Sequence, residues 1–596
     1  MESSNTRYEL VSTSTALHSV AQRSTSLFCA LDFETTSLRP ADGRVRLVSL
    51  CNEKINVVVD FDQIEGGFEA CAHLFAGGKW VVYNAGFELR WFIAAGQGDV
   101  ACYDLANLRR AVLGGGNYSL KQIALWDLDE EISKEEQLSD WSAPELTQKQ
   151  LDYAFADADV TWRLWQHWSK KTDGQRWNGF RMFNDMVPAV IEMEETGILL
   201  DQDHHASLVE GWEETQENRL VEIRKAVPAT DVANVNSDAQ WSDYFASVMP
   251  DGWLQKWPRT EKAGRLSMTT KTLRRLAGKC PGTPLEELFD NLADFKTISK
   301  YVSSFGASLI QAAQSSPDGR IRPRVNIGAA RTGRFSTSGP NVQQVPRNRD
   351  ILGEPTSVRQ SFIASPGCAL VSLDYSGIEL RVLALLSADK QLLEDMVTGD
   401  VHAEVAAEMV GHKIDRRTKE GALARQQAKA VSFGIVYGAA APGLGATMRT
   451  TVTDAQSYID FWQARYPQAF QYRFDIYAEA EQTRYIRCVD GGSIYMGKKA
   501  DLPKCANYPV QRAALSVMAR AIVRHKASLD SKPHVNAHIL ATIHDALIDE
   551  SSIADADECL SIMREDMTQG YLDVFPDASV DRLVEGGIGP DWGHLN

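Results

Sequence analysis

The 596-residue sequence has no run of about 18 or more uncharged apolar residues, so no segment is expected to cross a membrane. Its nine cysteines include no CxxC pair and no regular spacing. That argues against a disulfide framework or a structural zinc site and fits a reducing cytoplasm. The first 26 residues are rich in Ser and Thr and lack an apolar secretory core, and they are expected to form a loose tail. Positive charge is also scarce: 62 Lys and Arg stand against 79 Asp and Glu, a net −17. Net charge does not exclude a nucleic-acid partner, because binding depends on local fields. Between Arg320 and Arg359 eight arginines meet only Asp350 and Glu354, a basic strip that suits either a DNA groove or a solvated loop.

What is present is length enough for several domains and a hydrophobic content of 44%, ordinary for a folded protein. From Leu27 short apolar strands alternate with helical patterns, as in an α/β domain. Residues 28–33 read as a strand, on which Asp32 and Glu34 share one face, because side chains alternate with period two. A further strand at Trp80 leads through Asn84 into a helical turn bearing Glu88. Tyr153 and Asp157 lie four apart on a helix and share a face. Four acids and a tyrosine in this order resemble the DEDDy family of 3′–5′ exonucleases. The resemblance implies an α/β RNase H-like fold and two Mg²⁺ ions held by Asp32, Glu34, Glu88 and Asp157, with Tyr153 positioning the attacking water. One departure is Glu88, a methylene longer than the Asp usual there. It leaves open a degenerate domain that holds DNA without cutting it.

Past Trp168 the strand signal fades, and from Asp201 to about residue 314 the pattern is helical. Lys262, Arg265, Lys271 and Arg274 could contact phosphates there.

Arg425, Lys429, Phe433 and Tyr437 recur every four residues and end at Gly438, so on a helix they form one slowly winding stripe. The cations suit a polyphosphate and the rings suit a nucleobase. By itself the stripe equally fits a core helix with snorkelling cations. Three other stretches join it. Arg331 to Pro346 is turn-rich and basic and contains Arg334, Asn341 and Gln343. Ala369 to Arg381 reads as an apolar strand delivering Asp374 and Tyr375, then a helix bearing Glu379. His538 to Glu550 reads as two strands around His544 and Asp545. Together these motifs resemble family A DNA polymerases, the DNA polymerase I type, from about Met186 to Trp592.

The resemblance implies an α+β right hand with an antiparallel palm sheet, helical thumb and helical fingers. Two Mg²⁺ would be held by Asp374, Asp545 and the Tyr375 carbonyl, with Mn²⁺ able to substitute in both sites. Arg425, Lys429 and His402 would hold the triphosphate, Phe433 and Tyr437 would close on the base pair, and Glu379 would exclude a ribose 2′-hydroxyl. Arg334, Asn341, Gln343, Gln511 and His544 would contact DNA. Three positions depart from the family: Ala546 replaces the usual Glu after His-Asp, Gly377 a Gln, and Arg512 a Gly, which is expected to add charge and bulk near the duplex.

The expected organisation is an exonuclease domain at residues 27–172 and a polymerase domain at 173–596. Within the latter, the thumb lies at about 201–315, the palm at about 316–390 and 486–596, and the fingers at about 391–485. The expected function is DNA-dependent synthesis from dNTPs on primer-template DNA, with 3′–5′ proofreading, by a cytoplasmic monomer. No 5′-nuclease domain is expected ahead of the exonuclease, a phage-replicative layout, which would place the enzyme in a bacterial host with or without a processivity factor. A narrower expectation, resting on Arg512 and Ala546, is a preference for 2-aminoadenine over adenine. The alternative is a non-catalytic DNA-binding accessory protein on the same fold.

Overall fold

Six strands, Glu9–Val11 (β1), Phe28–Thr35 (β2), Val45–Cys51 (β3), Asn56–Asp60 (β4), Lys79–Val82 (β5) and Ala101–Asp104 (β6), form one sheet in the order β1-β4-β3-β2-β5-β6. The β2–β3 and β3–β4 pairs are antiparallel, while β1–β4, β2–β5 and β5–β6 are parallel. Every residue of β3 is buried, as expected for a strand covered on both faces. The computed structural model describes residues 8–595 apart from 262, 348, 349, 353, 356, 398 and 449. Lys262 and Arg349 therefore lie outside the described residues, as do the side chains of Asp350 and Glu354.

The loose tail expected for residues 1–26 is corrected from Glu9 to Ser24. β1 joins the sheet beside β4, and Ser14–Ser24 is a helix. Leu17, Val20, Ala21 and Ser24 are buried at helical spacing, and the Thr13 side chain accepts from the Ala16 N–H to cap the first turn. The Ser and Thr content that read as a tail supplies this cap and the outer face. Residues 1–7 lie outside the described residues.

The carboxy-terminal unit is built on a four-stranded antiparallel sheet. Its order is Ala537–Ile543, Ala546–Ser552, Cys368–Tyr375 and Val584–Gly589. Along the third of these, Val371, Leu373 and Tyr375 pack with Met518, Met563 and Met567 of the long helices Leu502–Ser531 and Ala556–Val574. Alternation turns Ser372 and Asp374 to the opposite face. In the chain segment that separates these sheets, helices Gln202–Ala226 and Pro284–Phe305 pack together. Near their far ends Trp241, Phe245, Trp257 and Phe289 form a separate core. There Arg274 pairs with Asp290 at 2.6 Å and also with Asp294, so it is not the free phosphate contact expected of it.

Candidate active sites

In the first unit β2 presents Asp32 and Glu34, and the helix Gln148–Ser169 presents Tyr153 and Asp157. That helix begins in a capping box between Thr147 and Gln150, which fixes where its first turns point. One carboxylate oxygen each from Asp32, Glu34 and Asp157 lies within 4.8 Å of the others. Glu88 lies outside that convergence. It is buried on the helix Ala85–Ala94, and its Oε2 has no hydrogen-bond partner among the described residues. Burial, then the Asp157 charge, raises the Asp32 carboxyl well above the usual range. Burial, then Asp32, raises both Glu34 and Glu88. Buried like charges that cannot all ionise alone, all of them hard oxygen donors, fit a divalent cation of the Mg²⁺ class.

One member of this site escaped sequence reading. The Lys134 ammonium donates to Asp157 Oδ2 and to the Tyr153 hydroxyl (3.0 Å), and it lies 5.1 Å from the centre of the Tyr153 ring. Its charge offsets part of the repulsion at Asp32 and Glu34. Lys134 sits in an irregular acidic stretch, so periodicity does not mark it. The only sequence signal is a lone cation among Glu130, Glu131, Glu135 and Glu136.

In the second unit the strands Ala537–Ile543 and Ala546–Ser552 meet at a two-residue turn, His544-Asp545, with His544 in the left-handed region at φ 56°. The ladder sets Asp374 opposite Ala546, and the Tyr375 N–H donates to the Asp545 carbonyl at 3.1 Å. Two aspartates far apart in the chain thus adjoin. Burial pushes the Asp545 carboxyl up to about 7, with Arg334 opposing and Asp374 and Glu379 adding to the rise. Asp374 is also raised, mainly by burial, and the Arg347 guanidinium lies 4.0 Å from its carboxylate.

The stripe Arg425, Lys429 and Phe433 lies on the helix Lys419–Val436, with Tyr437 as its C-cap. Gly438 follows at φ 74°, and a Cβ there would come within 2.7 Å of Pro503 Cα, so only glycine ends the helix this way. Arg425 Nε donates to Asp400 at 2.6 Å. Lys429 sits 5.7 Å from the Phe433 ring centre, and its charge reaches Asp374. The His402 ring lies 5.9 Å from that of Phe433, and its buried Nδ1 has no hydrogen-bond partner among the described residues. Burial, then Arg425, holds His402 down to about 4, which keeps it neutral at pH 7. Tyr437 and Arg334 both bind the Glu379 carboxylate.

Among the DNA-contact candidates, Gln343 Nε2 donates to the Thr542 carbonyl at 3.3 Å, and Asn341 Oδ1 accepts from Thr337 at 3.0 Å. Gln511 is half-buried, with no side-chain hydrogen bond among the described residues. His544 is held down mainly by burial, then by Arg334. Gly377 caps the helix Ile378–Ser387 at φ 60°, a conformation that disfavours the Gln usual there. Arg512 is corrected: rather than adding charge beside a duplex, it is fully buried, bound to Asp490 at 2.7 Å and stacked 4.3 Å from the Phe183 ring centre. The expectation of a 2-aminoadenine preference loses one of its two supports with it.

Comparison with known proteins places these sites in context. The model of DNA polymerase family A matches residues 205–594, and a 3′–5′ exonuclease model matches residues 8–173. The chain is 28% identical over 503 residues to DNA polymerase I of Pseudomonas aeruginosa, covering 80% of this chain and 52% of that protein. It is 29% identical over 444 residues to the thermostable DNA polymerase I of Thermus thermophilus, covering 72% and 50%. The chain spans about half the length of the curated relatives it matches. The polymerase domain of Pol1 from M. smegmatis, solved with DNA primer-template and dNTP, superposes with a TM-score of 0.80 over 99% of this chain and 100% of that one, at 21% identity, a likeness of fold. The chain belongs to DNA polymerase family A, with a 3′–5′ exonuclease domain ahead of its polymerase domain.

Proposed function

We propose that this chain is a DNA-directed DNA polymerase that extends a primer 3′-hydroxyl with dNTPs and trims 3′ ends with its amino-terminal unit. The observation that carries this reading is the junction of Asp374 and Asp545, with Asp374 in reach of the Lys429 charge from the helix that also bears Arg425. Family A polymerase and exonuclease domains depend on divalent cations, and the oxygen donors of both sites suit Mg²⁺. When bound, such cations supply Lewis acidity to the attacking oxygen and neutralise the phosphate charge.

The residues divide the rest of the work. Asp374, Asp545 and the Tyr375 carbonyl would hold two cations in one site, and Asp32, Glu34 and Asp157 would hold them in the other, with Glu88 within reach of the Asp32 and Glu34 charges. Arg425 and Lys429 bind the triphosphate, and the neutral His402 donates without adding charge. Phe433 lies against the incoming sugar and base. Tyr437 closes the template side and, with Arg334, holds Glu379 where it fills the space of a ribose 2′-hydroxyl. Asn341, Gln343, Gln511 and His544 line the minor-groove side. In the trimming site Tyr153 and Lys134 orient the attacking water. In this reading residues 27–172 are the exonuclease, with the thumb at about 201–315, the palm at about 316–390 and 486–596 and the fingers at about 391–485, and the enzyme acts as a monomer on primer-template DNA.

Extension of a labelled primer with Mg²⁺, with and without dNTPs, reports synthesis and trimming together. Wild type should extend and Asp545→Ala should not. No extension by either protein would favour an accessory DNA-binding role.

A further inference from the structure

The acid usual after His-Asp is missing at Ala546, yet the site is not short of carboxylates. The sheet ladder sets Ala546, Asp374 and Glu585 in one row across three strands, with Asp374 in the middle. Directly opposed residues of antiparallel strands project from one face with Cβ atoms about 4.5–5.5 Å apart. Glu585 therefore stands on the same face as Asp374, on the flank opposite the missing acid. It is exposed, and it makes no hydrogen bond or ion pair among the described residues.

The register of this row is pinned. Gly586, at φ 144°, follows Glu585, and a Cβ on it would fall 2.2 Å from the Ser372 carbonyl oxygen. The strand thus lies so close to its neighbour that only glycine fits, and a slip would turn Glu585 to the other face. Like charges directly opposite one another destabilise a sheet. A cation shared between them reverses the sign of that effect. The Asp374 carboxylate lies within reach of the Glu585 charge.

We propose that Glu585 is a positioning residue that supplies the third carboxylate of the polymerase site in place of an acid at Ala546, holding the water shell of the divalent cation bound at Asp374. It rests on the polymerase reading above.

The test uses the full chain carrying Asp32→Asn and Glu34→Gln, to silence the other acidic cluster, with and without Glu585→Gln. Mn²⁺ binding is followed by electron paramagnetic resonance, and the Mg²⁺ concentration for half-maximal primer extension is measured in parallel. Glu585→Gln should weaken Mn²⁺ binding and raise the Mg²⁺ requirement by about tenfold, the low end for groups that orient metal ligands. Adding Ala546→Glu should restore most of both, while Glu585→Gln should not lower the melting temperature in EDTA, because Glu585 is exposed and its charge opposes that of Asp374. Unchanged Mn²⁺ affinity, or a lower metal-free melting temperature with unchanged affinity, would overturn the proposal. Failure of the parent chain to extend a primer would instead overturn the reading beneath it, independently of the Mn²⁺ titration.

Discussion

The Tyr437 hydroxyl donates to Glu379 Oε2 at 2.6 Å, joining the end of the helix Lys419–Val436 to the acid proposed to exclude ribose. Arg334 holds the other oxygen, so the gate is braced from two sides. Glu379→Ala should raise ribonucleotide incorporation about a hundredfold, the scale of a filled-space discrimination. Tyr437→Phe keeps the bulk and loses a hydrogen bond to a charged group, and should relax the selection about tenfold. Competition of rNTP against dNTP in primer extension measures both.

Lys134 ties the Asp157 carboxylate to the Tyr153 hydroxyl. Lys134→Ala should slow 3′ trimming about 10²–10³-fold, the size of losing one preorganised charge or donor. Extension should be untouched, because the lysine belongs to the other unit. Degradation of a labelled primer without dNTPs, compared with extension by the same preparation, checks it.

Arg512 and Asp490 form an ion pair with side chains almost completely shielded from water. Removing one partner strands the other charge. Asp490→Ala should cost about 3–5 kcal/mol in denaturant unfolding. Asp490→Leu combined with Arg512→Met should recover most of that loss, since paired apolar replacements avoid the uncompensated charge.

His525 is buried between Asp549 (2.6 Å) and Asp566 (3.0 Å), with Cys559 against Asp549. Despite burial, the two carboxylates raise its pKa from 6.5 to about 9. A raised folded-state value contributes stability that is fully present below 6.5 and lost as pH rises toward 9. The shift corresponds to on the order of 3 kcal/mol. The melting temperature should therefore fall between pH 6.5 and 9, and His525→Gln should flatten that decline. Calorimetry across this range measures it.

Much of this arrangement is legible in the sequence. Period two put Asp32 with Glu34 on one strand face, and period four put the cations and rings on one helix. Such local spacing survives folding, because the elements are regular. What escaped depends on distance through space. Lys134 reaches its carboxylates from an irregular segment with no pattern to read. Arg512 follows Gln511 in a helix, and only the Asp490 beneath it reveals that it faces inward. Glu585 gains meaning from a ladder partner more than two hundred residues away in the chain. The helix Ser14–Ser24 was misread because capping hydroxyls and disordered hydroxyls have the same composition.

The short strand β1 has a practical consequence for dissecting the protein. It shields the outer edge of β4, and the helix after it buries Leu17 and Val20. A version trimmed to begin at residue 27 would bare that edge and a greasy patch beside it, inviting neighbouring copies to add strands of their own. Clumping of such a shortened protein would reveal the loss of a seal rather than any defect in its chemistry.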